Sequence, residues 1–401
     1  VSTKSGLCSS STMLERGEAW RMGACEGNFQ ASVLANHRRT REHLKHAPEE
    51  GYMSRKRKMS GSSIGTWNTC RRRWFFQEKG ILPVAQSRAL SFGELFHYGV
   101  ALYRRSREEG LLPMHESVNG AVNAMLLYAA QKAADLQASG LPGGDEGAAK
   151  VTDTANEVAV VLRNYFLNYS QDALVPILVE ASFELKLPHS RTKFCGRIDE
   201  IARLGDEYYI VERKTTGARR ACDYMAEVRF AAQPIDYVWA GRQLGYPVRG
   251  VIYDVVRSKV PSRPKILKDG SISASACDTT LEIFESTLRE NSLQRGDYLE
   301  TLAALERDKK DGVWFYRSVW GVTDAEIEES LEHNVQIAKS YGKALYTRNV
   351  GACNVQSRKC PYQSLCARAH ESDWQNFPVE FLGQLGYRRV VKEEGTPIEL
   401  Q

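Results

Sequence analysis

The chain has 401 residues, enough for one large domain or two of ordinary size, and its 42% hydrophobic and 26% charged content suits a globular protein and excludes a low-complexity or fibrous one. No apolar run approaches the roughly 18 residues that a membrane-spanning helix needs. The net charge of +5 is confined to residues 1–59, which hold 11 Lys and Arg against 6 Asp and Glu. The remainder is balanced, so overall basicity is no argument that the body binds nucleic acid; only a local basic groove stays open.

Nine cysteines is an odd count, and the start of the sequence shows no apolar signal core. A disulfide framework is therefore not expected. A reducing, cytoplasmic setting is, with a metal or cluster role for some of the thiols.

Residues 1–59 are rich in Ser, Gly, Arg and His and lack sustained periodicity, so they read as a poorly ordered basic segment. In 60–80, Ser60 or Ser63 can cap a short helix carrying Ile64, Trp67 and Cys70. Trp74 to Phe76 follow three arginines. Aromatics interleaved with arginines can stack on single strands, but core anchors are the expectation here. Residues 87–109 predict a helix with Leu90, Leu95, Phe96, Val100 and Tyr103 on one face, and His97 lies on it. Helices are expected at 115–138 and 151–169, separated by a Gly/Pro-rich linker at 140–147. A strand at 174–187 places Glu180 and Glu184 on one face.

Two alternating runs, 194–203 and 208–216, flank the turn signal Leu204-Gly205-Asp206-Glu207 and predict a β-hairpin. Residues two apart on a strand share a face, so Glu212 and Lys214 point together while Val211 and Arg213 take the other side. Asp199 on the neighbouring strand can face the same way. Next come a helix at 219–245, in which Gln233 and Tyr237 share a face and Pro234 marks a start or a kink, and a strand at 248–256. A loop follows at 258–275, then helices at 278–309 and 323–347 around a strand at 314–320, and a tail without distinguishing pattern after Asp373.

Two carboxylates and a lysine on adjacent strands suit a divalent metal and a water nucleophile. Mg²⁺ keeps several waters and needs only one or two carboxylates. Asp199 and Glu212 fit that need, with the Arg213 carbonyl as a further oxygen and Lys214 to orient the water. An isolated E-x-K is common and carries little weight alone.

The ordered set carries more. Gly93 to His97 is a G-x-x-x-H element, Gly196 stands three residues before Asp199, Glu212-Arg213-Lys214 is acid-x-lysine, and Gln233 to Tyr237 is Q-x-x-x-Y. With the stretch Ser60 to Phe76, the chain resembles the PD-(D/E)XK nuclease superfamily, in its RecB-like branch, over about residues 60–367. The residue before the aspartate is Ile198 rather than proline, as is usual in that branch. The resemblance implies an α/β fold: a restriction-endonuclease-like mixed sheet flanked by helices, with a helical Fe–S-bearing cap. It implies Asp199, Glu212 and His97 as ligands of Mg²⁺ or Mn²⁺, Lys214 serving the water, and Gln233 and Tyr237 positioning DNA or supporting the site.

Cys353, Cys360 and Cys366 form Cys-x6-Cys-Pro-Tyr-x3-Cys and need a fourth ligand, for which Cys70 is the candidate. Thiolates suit iron–sulfur or zinc equally, but the spacing differs from the paired Cys-x2-Cys of zinc ribbons. By resemblance this is a [4Fe–4S] site, with Cys353 its least regular member. The implied activity is a metal-dependent DNA nuclease, an exonuclease before an endonuclease, in recombination, repair or phage DNA metabolism. With no Walker-type motif in the chain, unwinding would come from a helicase or recombination partner. The alternatives are a non-cleaving DNA-binding or assembly subunit that keeps the fold, and a zinc-stabilised RNA-processing protein.

Overall fold

A short strand, β1 (Lys58–Met59), opens the part of the chain described by the computed structural model, which covers residues 58–108, 114–228, 231–273, 275, 277–341, 346–355, 358–368 and 377–390. Apart from β1, the expected basic N-terminal segment lies outside these residues. Helices α1 (Gly61–Thr69) and α2 (Arg71–Glu78) follow. Ser60 caps α1, its hydroxyl accepting from the Ser63 N–H at 3.2 Å. Cys70 has extended backbone and sits at the joint between the two helices, not on the first. Trp67 and Trp74 are core anchors as expected. They meet edge-on at 4.7 Å, and both pack on Tyr341.

Next come β2 (Ile81–Pro83) and three long helices, α3 (Arg88–Glu108), α4 (Met114–Ala138) and α5 (Gly144–Asn168). Leu95, Phe96, Val100 and Tyr103 form the buried stripe of α3, but Leu90 is 39% exposed. At 100° per residue it lies about 140° around the helix from Leu95. Helix α5 begins seven residues before the expected 151, inside the supposed linker. Asp145 and Glu146 in its first turn complement the helix dipole. Gly144 lies so close to α4 that a Cβ there would stand 2.6 Å from the Leu136 carbonyl oxygen. The glycines that signal a linker are here a helix–helix contact.

The sheet is built from β3 (Val175–Lys186), β4 (Lys193–Leu204), β5 (Glu207–Thr216), β6 (Val248–Arg257) and β7 (Phe315–Gly321), in that spatial order, with β1 alongside β4. The β3–β4, β4–β5 and β6–β7 pairs are antiparallel; β5–β6 and β1–β4 are parallel. The β5-to-β6 crossover is not one helix over 219–245. It comprises a 3₁₀ turn at Cys222–Tyr224, α6 (Met225–Val228) and α7 (Ala232–Gln243). Pro234 lies in the first turn of α7, where its missing N–H costs nothing. Similarly, 278–309 divides into α8 (Leu281–Glu290) and α9 (Leu299–Lys310). Helix α10 (Asp324–Ser340) follows β7 and opens with a Thr323/Glu326 capping box.

Alternation along the strands feeds helical layers on both sides. Phe194, Ile198, Ile210 and Val251 pack with α1, α2, α7 and α10. A second core within α3, α4 and α5 reaches the sheet at Val256 and Phe315. The expected mixed sheet flanked by helices is observed.

The C-terminal part holds β8 (Asn354–Val355), β9 (Arg358–Lys359), α11 (Gln363–Ala367), α12 (Val379–Gln384) and β10 (Tyr387–Arg389). The supposedly undistinguished tail thus returns to the body. β10 pairs with β2, and Phe377, Leu382 and Tyr387 are buried. Three apolar anchors spread over eleven residues are too few to show as a period.

Asp236 joins α7 to α10: Ser330 Oγ and Asn334 Nδ2 donate to it at 2.7 and 2.9 Å. Burial, opposed only by those two bonds, raises its carboxyl to about 6. The folded state therefore binds this proton more tightly than the unfolded one. The resulting stability is complete below about pH 4 and is lost as pH rises through about 6. Asp236→Asn should be more stable than wild type at pH 8 by on the order of 2–3 kcal/mol, and so unfold at a higher temperature, and should match it near pH 4. Thermal denaturation at the two pH values measures the difference.

Candidate active site

The site lies where the sheet opens. The β3–β4 register passes from Val179↔Glu200 to Ala181↔Ile198 and skips the Glu180–Asp199 pair. On its other side, β4 pairs with β5 only from Leu204 back to Glu200, opposite Glu207 to Val211. β1 occupies that edge again at Lys193 and Phe194. Between these contacts the strands part, and the Asp199 carboxylate fills the opening: its Oδ2 accepts from the Arg213 N–H at 3.1 Å. A side chain thus replaces a backbone rung.

Glu212 and Lys214 share a face as the alternation predicts, with Nζ to Oε1 at 2.6 Å. Glu212 is 3% exposed, and its second oxygen is buried with no hydrogen-bond partner. His97 reaches the same place from α3, its Nδ1 3.3 Å from Asp199 Oδ2. The structure therefore brings His97 together with Asp199, Glu212 and Lys214, which lie more than a hundred residues later in the sequence.

Their electrostatics diverge. Burial works against ionisation of Asp199, but His97, Arg213 and Lys214 overcome it and hold the carboxyl well below its usual range. At Glu212 burial prevails over Lys214 and pushes the carboxyl up. Burial also disfavours the Lys214 cation, yet Glu212 and Asp199 hold its proton more tightly than usual. Lys214 is thus a fixed positive charge and hydrogen-bond donor. Two carboxylates driven apart in this way are a mark of acid–base or metal chemistry.

Gln233 and Tyr237 are bonded to each other, Nε2 donating to Oη at 2.8 Å. The Tyr237 ring lies against Gly196, where a Cβ would come within 3.2 Å of Tyr237 Cε1 and 3.0 Å of Phe183 Cζ. The glycine before Asp199 and the tyrosine of Q-x-x-x-Y are therefore two halves of one contact. It seats α7 on the strand that carries Asp199.

Sequence reading passed over a buried ionic network next to the site. Glu200 takes Arg104 from α3 at 3.0 Å and Arg213 at 2.5 Å. Asp254 takes Tyr165 at 2.5 Å and Arg317 at 3.0 Å. Arg317 also pairs with Asp172 at 2.8 Å and stacks 3.7 Å above the Tyr169 ring. Glu200 and Asp254 are fully buried. The available signal was an acid inside an otherwise apolar strand, such as Asp254 in 248–256. Its partners Tyr165 and Arg317 come from α5 and β7, as Arg104 of α3 does for Glu200, and none has a sequence relation to the acid it serves.

The four cysteines singled out are free thiols, all partly buried, in one neighbourhood. The Asn349 N–H donates to Cys70 Sγ at 3.4 Å, and Cys353 Sγ donates to the Asn349 carbonyl at 3.6 Å. The Cys360 N–H donates to the Cys353 carbonyl at 2.9 Å, and Arg72 Nη1 lies 3.9 Å from Cys366 Sγ. Arg73 lies in the field of Cys360 and has a buried Nε without a partner. Among the described residues, no three His, Cys, Asp or Glu side chains converge into a preformed metal cage, here or around Asp199.

None of the curated proteins matches this sequence. A family model does: that of the PD-(D/E)XK nuclease superfamily matches residues 58–367, from β1 through α11. It takes in the parted strands, the acid-x-lysine element and three quarters of the chain. The chain belongs to the PD-(D/E)XK nuclease superfamily.

Proposed function

We propose that this protein is a deoxyribonuclease dependent on Mg²⁺ or Mn²⁺ that hydrolyses phosphodiester bonds at DNA ends. The observation that carries the reading is the Glu212 oxygen, buried and unpartnered beside Asp199, His97 and Lys214. Leaving a carboxylate oxygen dry and unpaired is costly, and a cation in the opening would satisfy it. A preformed cage is not required, because Mg²⁺ retains several waters and takes one or two carboxylates.

Asp199, Glu212 and His97 would hold the cation. When bound, it supplies charge to the phosphodiester and lowers the pKa of its water. Lys214 keeps its proton and so donates a hydrogen bond, placing the attacking water and countering charge on the phosphate. The Arg213 N–H holds Asp199 in one orientation while this happens. Gln233 and Tyr237 support the strand from α7 and stand ready to guide the DNA. Family membership supports nucleolysis, and preference for ends rests on the RecB-like order of the motifs. A helicase or recombination partner belongs to the same proposal.

The test is incubation of the protein with Mg²⁺ or Mn²⁺ and end-labelled linear and circular DNA, single- and double-stranded. Cleavage of linear DNA by wild type should fall at least about a hundredfold in Lys214→Ala and Asp199→Ala. Cutting unchanged in both variants overturns the site. DNA binding without cutting by wild type favours the non-cleaving subunit, and cutting of circles an endonuclease.

We further propose that Cys70, Cys353, Cys360 and Cys366 bind a [4Fe–4S] cluster. Four free thiols from the two ends of the domain, facing Arg72 and Arg73, are a donor set that suits an anionic cluster. The cluster would staple α1 and α2 to the C-terminal segment, a loop closure otherwise costly in entropy. Protein purified without oxygen should be brown and hold about four irons per chain, and Cys360→Ser should lose them. Colourless protein with one zinc per chain instead supports the zinc alternative.

A further inference from the structure

Beside His97 on α3, Tyr98 stacks on Tyr128 of α4, with ring centroids 4.5 Å apart and planes 20° from parallel. A second aromatic pair on α3, Tyr103 on Phe166 at 4.1 Å, is core packing, because both of its rings are buried. Tyr98 and Tyr128 are only partly buried, at the margin of the same helical core. Their polar ends differ. The Tyr128 hydroxyl donates to Glu94 Oε1 at 2.7 Å, and Glu94, 7% exposed, is also held by Lys132. A buried ion pair adds little stability but accepts few geometries, and here it fixes the Tyr128 ring. Among the described residues nothing hydrogen-bonds the Tyr98 hydroxyl. Tyr98 is thus a partly exposed ring braced by a second ring that is itself locked.

The surroundings are basic. Arg105 follows Tyr98 by seven residues, two turns along the same face of α3. It is exposed and forms no ion pair among the described residues. Arg105 lies in the field of Tyr98, and Arg197 of β4 in that of Tyr128. Both arginines also act on Glu180, which feels Asp199 and His97 in turn. The stacked pair and its two cations therefore border the opening that holds the candidate site.

Aromatic side chains flanked by cations suit a nucleotide: the ring takes the base and the guanidinium the phosphate. Stacking needs the bare face of a base, and within a duplex both faces are covered by neighbouring pairs. We propose that Tyr98, braced by Tyr128, is a base-stacking platform for one unpaired nucleotide of the DNA strand entering the site, with Arg105 on its phosphate. This rests on the DNA-directed reading above and adds to it the residues that grip the strand beside the reacting bond.

The test is a fluorescence-anisotropy titration of the full-length protein with a labelled single-stranded oligonucleotide of about ten nucleotides, in EDTA so that nothing is cut. Circular dichroism checks that each variant is folded. Tyr98→Leu should weaken binding about fivefold to a hundredfold, whereas Tyr98→Phe, which keeps the ring, should bind as wild type does. Oligonucleotides with one base removed at successive positions separate stacking from a structural role. In wild type one position should be sensitive to loss of its base, and in Tyr98→Leu that sensitivity should vanish. Arg105→Gln alters an exposed side chain and leaves the fold intact; it should lower the slope of log affinity against log salt by about 0.7. Tyr98→Leu binding like wild type, or keeping the sensitivity to the missing base, overturns the platform and leaves the nuclease reading standing. If Tyr98→Leu does not fold, an unchanged salt slope in Arg105→Gln overturns it. A wild-type protein that binds no oligonucleotide removes the DNA-directed reading, and the platform with it.

Discussion

The hydrogen bond from the Arg213 N–H to Asp199 is the constraint on which the site depends. A regular sheet would satisfy that N–H from the neighbouring backbone and leave no room between β4 and β5. Here the ladder stops at Glu200↔Val211, and a carboxylate takes over the missing rung. The strands can then diverge without leaving a buried donor orphaned. The divergence opens the space in which His97, Glu212 and Lys214 meet.

Arg213 connects this opening to the interior. Its backbone holds Asp199, while its side chain enters the network of Glu200, Arg104, Asp254 and Arg317. Ion pairs buried so deeply contribute little net stability, and an apolar replacement often serves as well or better. What such a network supplies is a single geometry: guanidinium forks accept few arrangements of carboxylates, whereas apolar contacts slide. Its effect here is to fix the strand that carries Glu212 and Lys214 relative to α3, the helix that carries His97.

Much of this architecture was legible in the sequence, and the reason differs between elements. The hairpin around Gly205 was plain because strand alternation and turn chemistry are local. So was α3, whose apolar stripe runs for several turns. The start of α5 was misread because Gly143, Gly144 and Gly147 look alike whether they loosen a loop or let two helices touch. The crossover at 219–245 was read as one helix because its apolar content is continuous, whereas its breaks come from backbone bonds such as Ala221 to Val313 and Cys222 to Gly312. The anchors Phe377, Leu382 and Tyr387 were invisible because their partners, such as the Ile81–Pro83 strand, lie some three hundred residues earlier.

By itself the sequence determined the superfamily and the mixed sheet and singled out His97, Asp199, Glu212 and Lys214 as candidates, because motif order and strand period are properties of the chain read along its length. Tertiary structure alone decided how these residues work together. It parted the strands at Asp199, left one Glu212 oxygen without a partner and set Gly196 against Tyr237. Each of these depends on groups distant in sequence sharing a desolvated space. There, burial and opposing charge decide which atoms remain unsatisfied, and neither is encoded in any local pattern of residues.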